Sequence, residues 1–508
     1  MAAARKLPLL VIVGATGTGK SKLAIELAQR FNGEIISADS MQVYRGLDII
    51  TNKVTAEELH CCRHHLIGYV DPFTPNNSVV NFKNQALPII DKLFDEDKMP
   101  VIVGGTNYYI EALLWNFLIN NKDIKRAKKE ELQTVGDDHV TLLPETEPME
   151  HLATRTKGSG EDTDKCKDDS MLRCHNSAPS VCENHEYSGQ SNSKVLEGRF
   201  AALETNDLYR RLMQVDPDKG RMVHPHNRRR IIRSLEVYED HGVAISDIHR
   251  AQHLDRGGPA LSGPLRYPNA CILWIQCEHK VLCERLDSRV NYMVERGLLQ
   301  ELDNFHTYYK QQTASRSQKP DYTLGIFQSI GFKEFHNYLM LTDDEKQSEK
   351  GRQLKEEGIA ELKLVTRRYA KRQIQWIKNR FLRRPGENVP LIYSVDSTET
   401  SRWQDDVHGP AEEIVTAIIE GRPASVAPVQ CSRELSDEPV YNVCHVCGGR
   451  VFVTRTQWEG HIKSRRHKKL FGKKLKTERE EQQQTDKHSD RCEAEEINHD
   501  DYCQMKDH

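Results

Sequence analysis

One run in this chain has the composition and spacing of a polyphosphate cradle. Gly14-Ala15-Thr16-Gly17-Thr18-Gly19-Lys20-Ser21 fits G-x-x-x-x-G-K-[ST]. Its glycines let backbone N–H groups turn inward around phosphate oxygens. Lys20 adds a charge, Ser21 can hold Mg²⁺, and the N-terminus of a following helix supplies a favourable dipole. The motif specifies polyphosphate and does not specify a nucleoside triphosphate. A kinase or ATPase would add a strand ending in an acidic Mg²⁺ ligand. The run Pro100–Val103 instead ends in Gly104-Gly105-Thr106. Glu34–Ala38 is followed by Asp39, and two readings stand open there: an acidic Mg²⁺ ligand at a strand end, or a simple helix cap.

A second set of chemically capable residues lies near the C-terminus. Cys444-x2-Cys447-x13-His461-x5-His467 has the spacing of a Cys2His2 zinc site. Four ligands fill a tetrahedron, so such a metal is structural. Phe452, Trp458 and Ile462 are the candidate miniature core, which metal binding lets fold. Arg465, Arg466, Lys468 and Lys469 suit phosphate contacts.

The elements that must position these residues can be read from the apolar pattern. Leu7–Val13 predicts a buried strand and Lys20–Phe31 a helix, with further strands at Glu34–Ala38, Pro100–Val103 and Cys271–Cys277. Helical patterning occurs at Asn206–Val215 and Arg228–His241, and from Lys280, Ile359 and Ala411. Alternating strands and helices imply a doubly wound α/β parallel sheet, with ligands at the carboxyl ends of the strands. Residues 119–200 are polar and lack periodicity, and are expected to be a largely disordered insertion. Cys166, Cys174 and Cys182 recur there every eight residues without compact ligand pairing.

The expected organisation is a catalytic core over 7–118 and 266–422, divided by that insertion and by a helical region over 201–265. A linker (423–439), a finger (440–472) and a disordered acidic tail (477–508) follow. Lys plus Arg (72) nearly balance Asp plus Glu (75), so net charge alone names no partner. The distribution is more informative: Lys363–Arg384 carries nine basic residues and no acid, and Lys463–Lys476 carries eight and no acid. At 508 residues and 37% hydrophobic content, no stretch approaches the roughly 18–20 apolar residues that span a bilayer. The thirteen cysteines, with no secretory signal, read as reduced thiols or metal ligands. The opening MAAARKLPLL is compatible with a very short mitochondrial presequence, or with a free N-terminus leading into the first strand.

Taken in order, GATGTGKS (14–21), SADSMQVY (37–44), DIITNK (48–53), VGGTNYYI (103–110), HPHNRRRIIRSLEV (224–237), ERLDSRVNYMVERG (284–297), GIFQSIGFKE (325–334) and TRRYAKRQIQWIKNRF (366–381) resemble the eukaryotic tRNA dimethylallyltransferases. WEGHIKSRRHKK resembles matrin-type fingers. The resemblance covers most of residues 8–118 and 205–385. It implies a P-loop kinase-like core with an inserted helical tRNA-clamping domain, acting as a monomer. The implied reaction moves a dimethylallyl group from dimethylallyl diphosphate to N6 of adenosine 37, beside the anticodon.

Through that resemblance, Asp39 is the expected base and Arg289 the expected clamp on the leaving diphosphate. Thr16 is catalytic with them, and Gly14 to Ser21 hold the diphosphate and its Mg²⁺. Asp39, Ser40, Met41, Gln42 and Thr106 are placed at the target base, and Arg229, Arg230 and Arg233 on the tRNA. Arg368, Arg372, Trp376 and Arg380 recur every four residues, a stripe that suits phosphate contacts and base stacking. Mitochondrion and cytoplasm are the expected compartments, with nuclear entry through the basic run left open. The long insertion departs from the family pattern and leaves the helical lobe's boundaries in doubt. The competing readings are a P-loop kinase and a non-catalytic RNA-binding protein retaining a transferase core.

Overall fold

Five residues of unbroken apolar sequence, LVIVG, make the first strand, β1 (Leu10–Gly14), and every one is buried. Such a run suits a strand covered on both faces. The computed structural model describes residues 7–75, 77–116, 200, 202–254, 265–313, 321–384, 389–430 and 439–479. After β1 come α1 (Lys20–Arg30), β2 (Gly33–Ser37), α2 (Ala56–Cys61), β3 (His64–His65), α3 (Val79–Asp95), β4 (Met99–Val103) and α4 (Asn107–Leu114). A helical lobe follows: α5 (Thr205–Val215), α6 (Pro217–Met222), α7 (Arg228–His241) and α8 (Ile245–Leu254). The chain returns to the sheet with β5 (Cys271–Gln276), then α9 (His279–Glu295), α10 (Leu298–Thr313), α11 (His336–Leu339), α12 (Asp343–Gln347), α13 (Glu349–Trp376), β6 (Leu391–Asp396) and α14 (Gly409–Glu420). Last come β7 (Pro439–Cys444), β8 (Arg450–Thr454) and α15 (Arg455–Lys463), with residues 465–479 helical again.

The six core strands are all parallel, in the order β3-β2-β4-β1-β5-β6. Alternate residues of each strand point to opposite faces. Val11, Val13, Ile36, Ile102, Ile272 and Trp274 pack under α3 and α4. Leu10, Ile12, Ile35, Val101 and Leu273 pack under α1 and α14. A third apolar cluster joins the segment after β2 to α9, α10 and α13.

The doubly wound sheet was legible; some of its members were not. The strand expected at Pro100–Val103 is β4, because the two-residue edge strand β3 precedes it. β6 closes the other edge at a run that no motif marked. The helix expected from Ile359 begins ten residues earlier, where Ser348 accepts the Gly351 N–H at 3.3 Å. The helix after α15 runs to residue 479, past the boundary expected at 472. The insertion with Cys166, Cys174 and Cys182 lies outside the described residues, as do residues 1–6 and 480–508.

α13 continues past Trp376 in a wider turn, Ile377–Leu382, and this end is anchored on α4. Glu111, wholly buried, accepts from Arg380 and from Arg384 (2.9 Å), and the Arg384 guanidinium sits 3.7 Å from the Trp115 ring centroid. Arg380 therefore divides its charge between Glu111 and the stripe in which the four-residue spacing placed it, its guanidinium still lying 5.9 Å from the Trp376 ring centroid. Removing one partner of a buried ion pair strands the other. Glu111→Ala should destabilise the core by about 3–5 kcal/mol, measured as a shift of its urea transition; a shift below about 1 kcal/mol would be that of an exposed pair.

Candidate active site and metal-binding finger

The carboxyl ends of β1, β2 and β4 converge on one cleft. The loop after β1 folds on itself, with the Thr18 hydroxyl donating to the Ala15 carbonyl at 2.9 Å and Lys20 Nζ donating to the same oxygen at 2.8 Å. Burial lowers the Lys20 pKa to about 8; the neighbouring Arg289 charge pushes it the same way and Asp39 opposes both. Ser21 stands exposed in the first turn of α1.

Asp39 follows β2 by two residues. Its Oδ1 accepts the Met41 N–H at 2.9 Å, so it closes a turn where a helix cap was one of the two expectations. Burial raises its pKa, while the Met41 and Gln42 backbone groups and the charges of Lys20 and Arg289 partly offset the rise. Arg289, from α9, donates to the Thr16 hydroxyl at 2.7 Å. Its buried Nε has no partner among the described residues, and burial lowers its pKa to about 10. Two cations and one carboxylate thus act on one another across the cleft. The balance favours an anion beside the loop and leaves a carboxylate opposite it.

Thr106 ties the ends of β2 and β4 together. Its backbone N–H donates to the Ala38 carbonyl at 3.1 Å; its hydroxyl accepts from the Ser40 N–H at 2.9 Å and donates to the Ser40 hydroxyl at 3.1 Å. Only glycine fits between the strands here. A Cβ on Gly104 would fall 2.2 Å from the Ala38 carbonyl oxygen, and one on Gly105 would fall 2.6 Å from Gln373 Nε2 and 3.3 Å from Asp39 Oδ2.

Gln373 was missed by sequence reasoning and is central to the cleft. Its Oε1 accepts the Thr16 N–H at 2.8 Å, and its Nε2 donates to the Gly105 carbonyl at 3.0 Å. The Tyr369 hydroxyl donates to the same carbonyl at 3.3 Å. One buried amide from α13 therefore fixes the phosphate loop against the end of β4. The available signal was a polar residue on the otherwise inward-facing row Leu362, Thr366, Ala370 and Ile377.

A family model described as IPP transferase matches residues 42–156 and 178–380, and one described as isopentenyl transferase matches residues 7–71. The tRNA dimethylallyltransferase of Homo sapiens is 42% identical over 91% of this chain and 85% of its own length. That of Saccharomyces cerevisiae is 29% identical over 91% of each. A solved eukaryotic dimethylallyltransferase acting on tRNA matches with a TM-score of 0.64 at 28% identity, over 94% of this chain and 100% of its own. The chain belongs to the tRNA dimethylallyltransferase family.

In this family member, several residues expected on the RNA face open to solvent. Arg368, Arg372 and Trp376 are exposed along α13, and Trp376 meets the exposed Tyr108 edge-on with ring centroids 6.1 Å apart. Arg229, Arg230 and Arg233 are exposed on the first turns of α7. Their neighbour Arg228 turns inward instead, donating to the carbonyls of Leu203 and Phe200 at 2.7 and 2.6 Å. Gln42 braces the segment after β2 rather than presenting its amide to a base. Its Oε1 accepts from Ser37 and its Nε2 donates to the Asn52 carbonyl, both at 2.9 Å. Met41 packs beside that segment's core, and Ser40 is held by Thr106.

The four finger residues meet as their spacing requires. One ligand atom from each of Cys444, Cys447, His461 and His467 lies within 4.8 Å of the others. His467 Nδ1 is 3.4 Å from Cys444 Sγ and 3.6 Å from Cys447 Sγ. Among the described residues His461 Nε2 is buried without a partner, an orphaned atom that a metal would satisfy. Phe452 stacks on His461 at 4.3 Å and meets Trp458 at 5.7 Å, forming the small core. The hairpin of β7 and β8 rests on α6 of the lobe. Among the described residues, no helix is long and apolar enough to cross a membrane.

Proposed function

We propose that this enzyme transfers a dimethylallyl group from dimethylallyl diphosphate to N6 of adenosine 37 in the anticodon loop of tRNA. The observation that carries the reading is the convergence of Lys20, Arg289 and Asp39 on the loop around Thr16, with glycines where a kinase would place its acid. Lys20, Arg289 and the N–H groups of the Gly14–Ser21 loop other than those of Thr16 and Thr18, which Gln373 and Ala15 engage, hold the diphosphate. As the C–O bond breaks, the electron pair leaves with the diphosphate, and both cations stabilise charge that grows there. The adenine N6 attacks the freed allylic carbon, and Asp39 accepts the proton that N6 loses. A carboxylate whose pKa is raised by burial is a better base than an exposed one.

Thr106 holds Ser40 and the Asp39 turn in place opposite the diphosphate. Arg229, Arg230, Arg233, Arg368 and Arg372 contact RNA phosphates, and Trp376 offers a stacking surface for an unpaired base. Target access requires adenosine 37 to leave its stack, which costs least in an unpaired loop. Mg²⁺ would neutralise diphosphate charge; the exposed Ser21 hydroxyl suits an ion held mainly by substrate phosphates and water. The finger's two thiols and two imidazoles suit structural Zn²⁺. Its exposed Arg465, Arg466, Lys468 and Lys469 extend the basic surface toward RNA.

The test is incubation with dimethylallyl diphosphate, Mg²⁺ and unmodified tRNA carrying A36-A37-A38, followed by nucleoside mass analysis. A prenyl mass gain confined to A37 is expected, and no gain on A37 would overturn the reading. The pH profile carries a second prediction. Asp39 is active when deprotonated, above its raised pKa, and Lys20 is charged below about 8. For the free enzyme, kcat/KM should therefore be bell-shaped, with its alkaline limb near pH 8. Lys20→Arg should lift that limb while keeping the acid limb, because guanidinium stays charged.

A further inference from the structure

The phosphate-loop motif says nothing about what lies behind it. Here the segment between β6 and α14 reaches back to the loop through one side chain, Trp403, which is 9% exposed and packed with Val407 and Ala411. Its six-membered ring lies against Gly19, where an added Cβ would fall 2.7 Å from Cη2 and 2.8 Å from Cζ3. The indole N–H donates to Glu26 Oε2 at 2.8 Å. Lys22 Nζ lies 4.4 Å from the ring centroid and 3.9 Å from Glu26 Oε1. One residue from far along the chain therefore touches positions 19, 22 and 26, the first two turns of the helix that begins at Lys20. Gly19 itself is left-handed (φ +87) and, among the described residues, offers that helix no side-chain cap.

We propose that Trp403 is a positioning residue for the diphosphate, a backstop that holds Gly19 and the first turns of α1 so that Lys20 and Ser21 meet the substrate already in place. The inference rests on the diphosphate reading above. A glycine-rich loop without a backstop samples more conformations and must lose them on binding, which weakens affinity. The contact lies behind the loop, and none of the exposed RNA-facing side chains touches it. Its loss therefore falls on the diphosphate and not on tRNA.

Two variants and two readouts test this. Trp403→Ala should raise KM for dimethylallyl diphosphate about tenfold, some ~1.4 kcal/mol, with tRNA affinity within about twofold and the saturated single-turnover rate within about threefold. Trp403→Phe keeps an aromatic face on Gly19 and should recover most of the loss. Inorganic pyrophosphate with Mg²⁺ should change the tryptophan emission of the wild-type chain, and Trp403→Phe should abolish that change although four of the five tryptophans remain. Normal pyrophosphate binding with the emission change intact in Trp403→Phe, or an unchanged KM in folded Trp403→Ala, overturns the proposal. A wild-type chain that fails to bind pyrophosphate overturns the diphosphate reading, and this inference with it.

Discussion

Lys20, Asp39 and Arg289 are three charged groups drawn partly out of water, and the architecture of the core follows from keeping them there. Burial acts against each: it lowers the pKa of both cations and raises that of the carboxylate. The attraction of each cation to Asp39 offsets part of that cost, is greatest at short range, and works against the repulsion between Lys20 and Arg289. Each residue therefore has to be fixed by neighbours. Lys20 reaches back to Ala15, Arg289 holds Thr16, and Asp39 closes its own turn. Gln373 and Thr106 then join the ends of β1, β2 and β4, while Arg289 comes in from α9.

This arrangement makes α13 more than a basic surface helix. Its outward residues Arg368, Arg372 and Trp376 face solvent, while Gln373 on its inner side contacts the phosphate loop and β4. Its far end is anchored through Arg380 to Glu111 on α4, the helix that begins just after Thr106. Solvent-exposed basic side chains and the amide that braces the phosphate loop thus share one rigid element, and such elements position sites more accurately than loops do.

The sequence exposed the parts of this machinery that are local. The phosphate loop sits between a strand and a helix, and the Cys–His spacing closes over a few dozen residues, so both can be read from short windows. The sheet alternation followed from apolar runs such as LVIVG. What stayed hidden depends on contacts between distant segments. Arg380 fitted a four-residue stripe, yet its orientation is decided by a buried acid 269 positions away. Gln373 looked like one more polar residue in a basic helix, and Trp403 belonged to no motif. Gln42, placed at the base by analogy, is drawn away by Ser37 and Asn52 because their groups lie within hydrogen-bond reach.

Asp39, proposed as the base that deprotonates the attacking amine, is tested most directly by one variant. In Asp39→Asn the side chain keeps its shape and can still accept the Met41 N–H, but it cannot take the proton. Single-turnover transfer to tRNA should fall by at least about 10²-fold, with tRNA and pyrophosphate affinities retained. Transfer that survives within about tenfold, roughly 1.4 kcal/mol of barrier, would contradict the assignment.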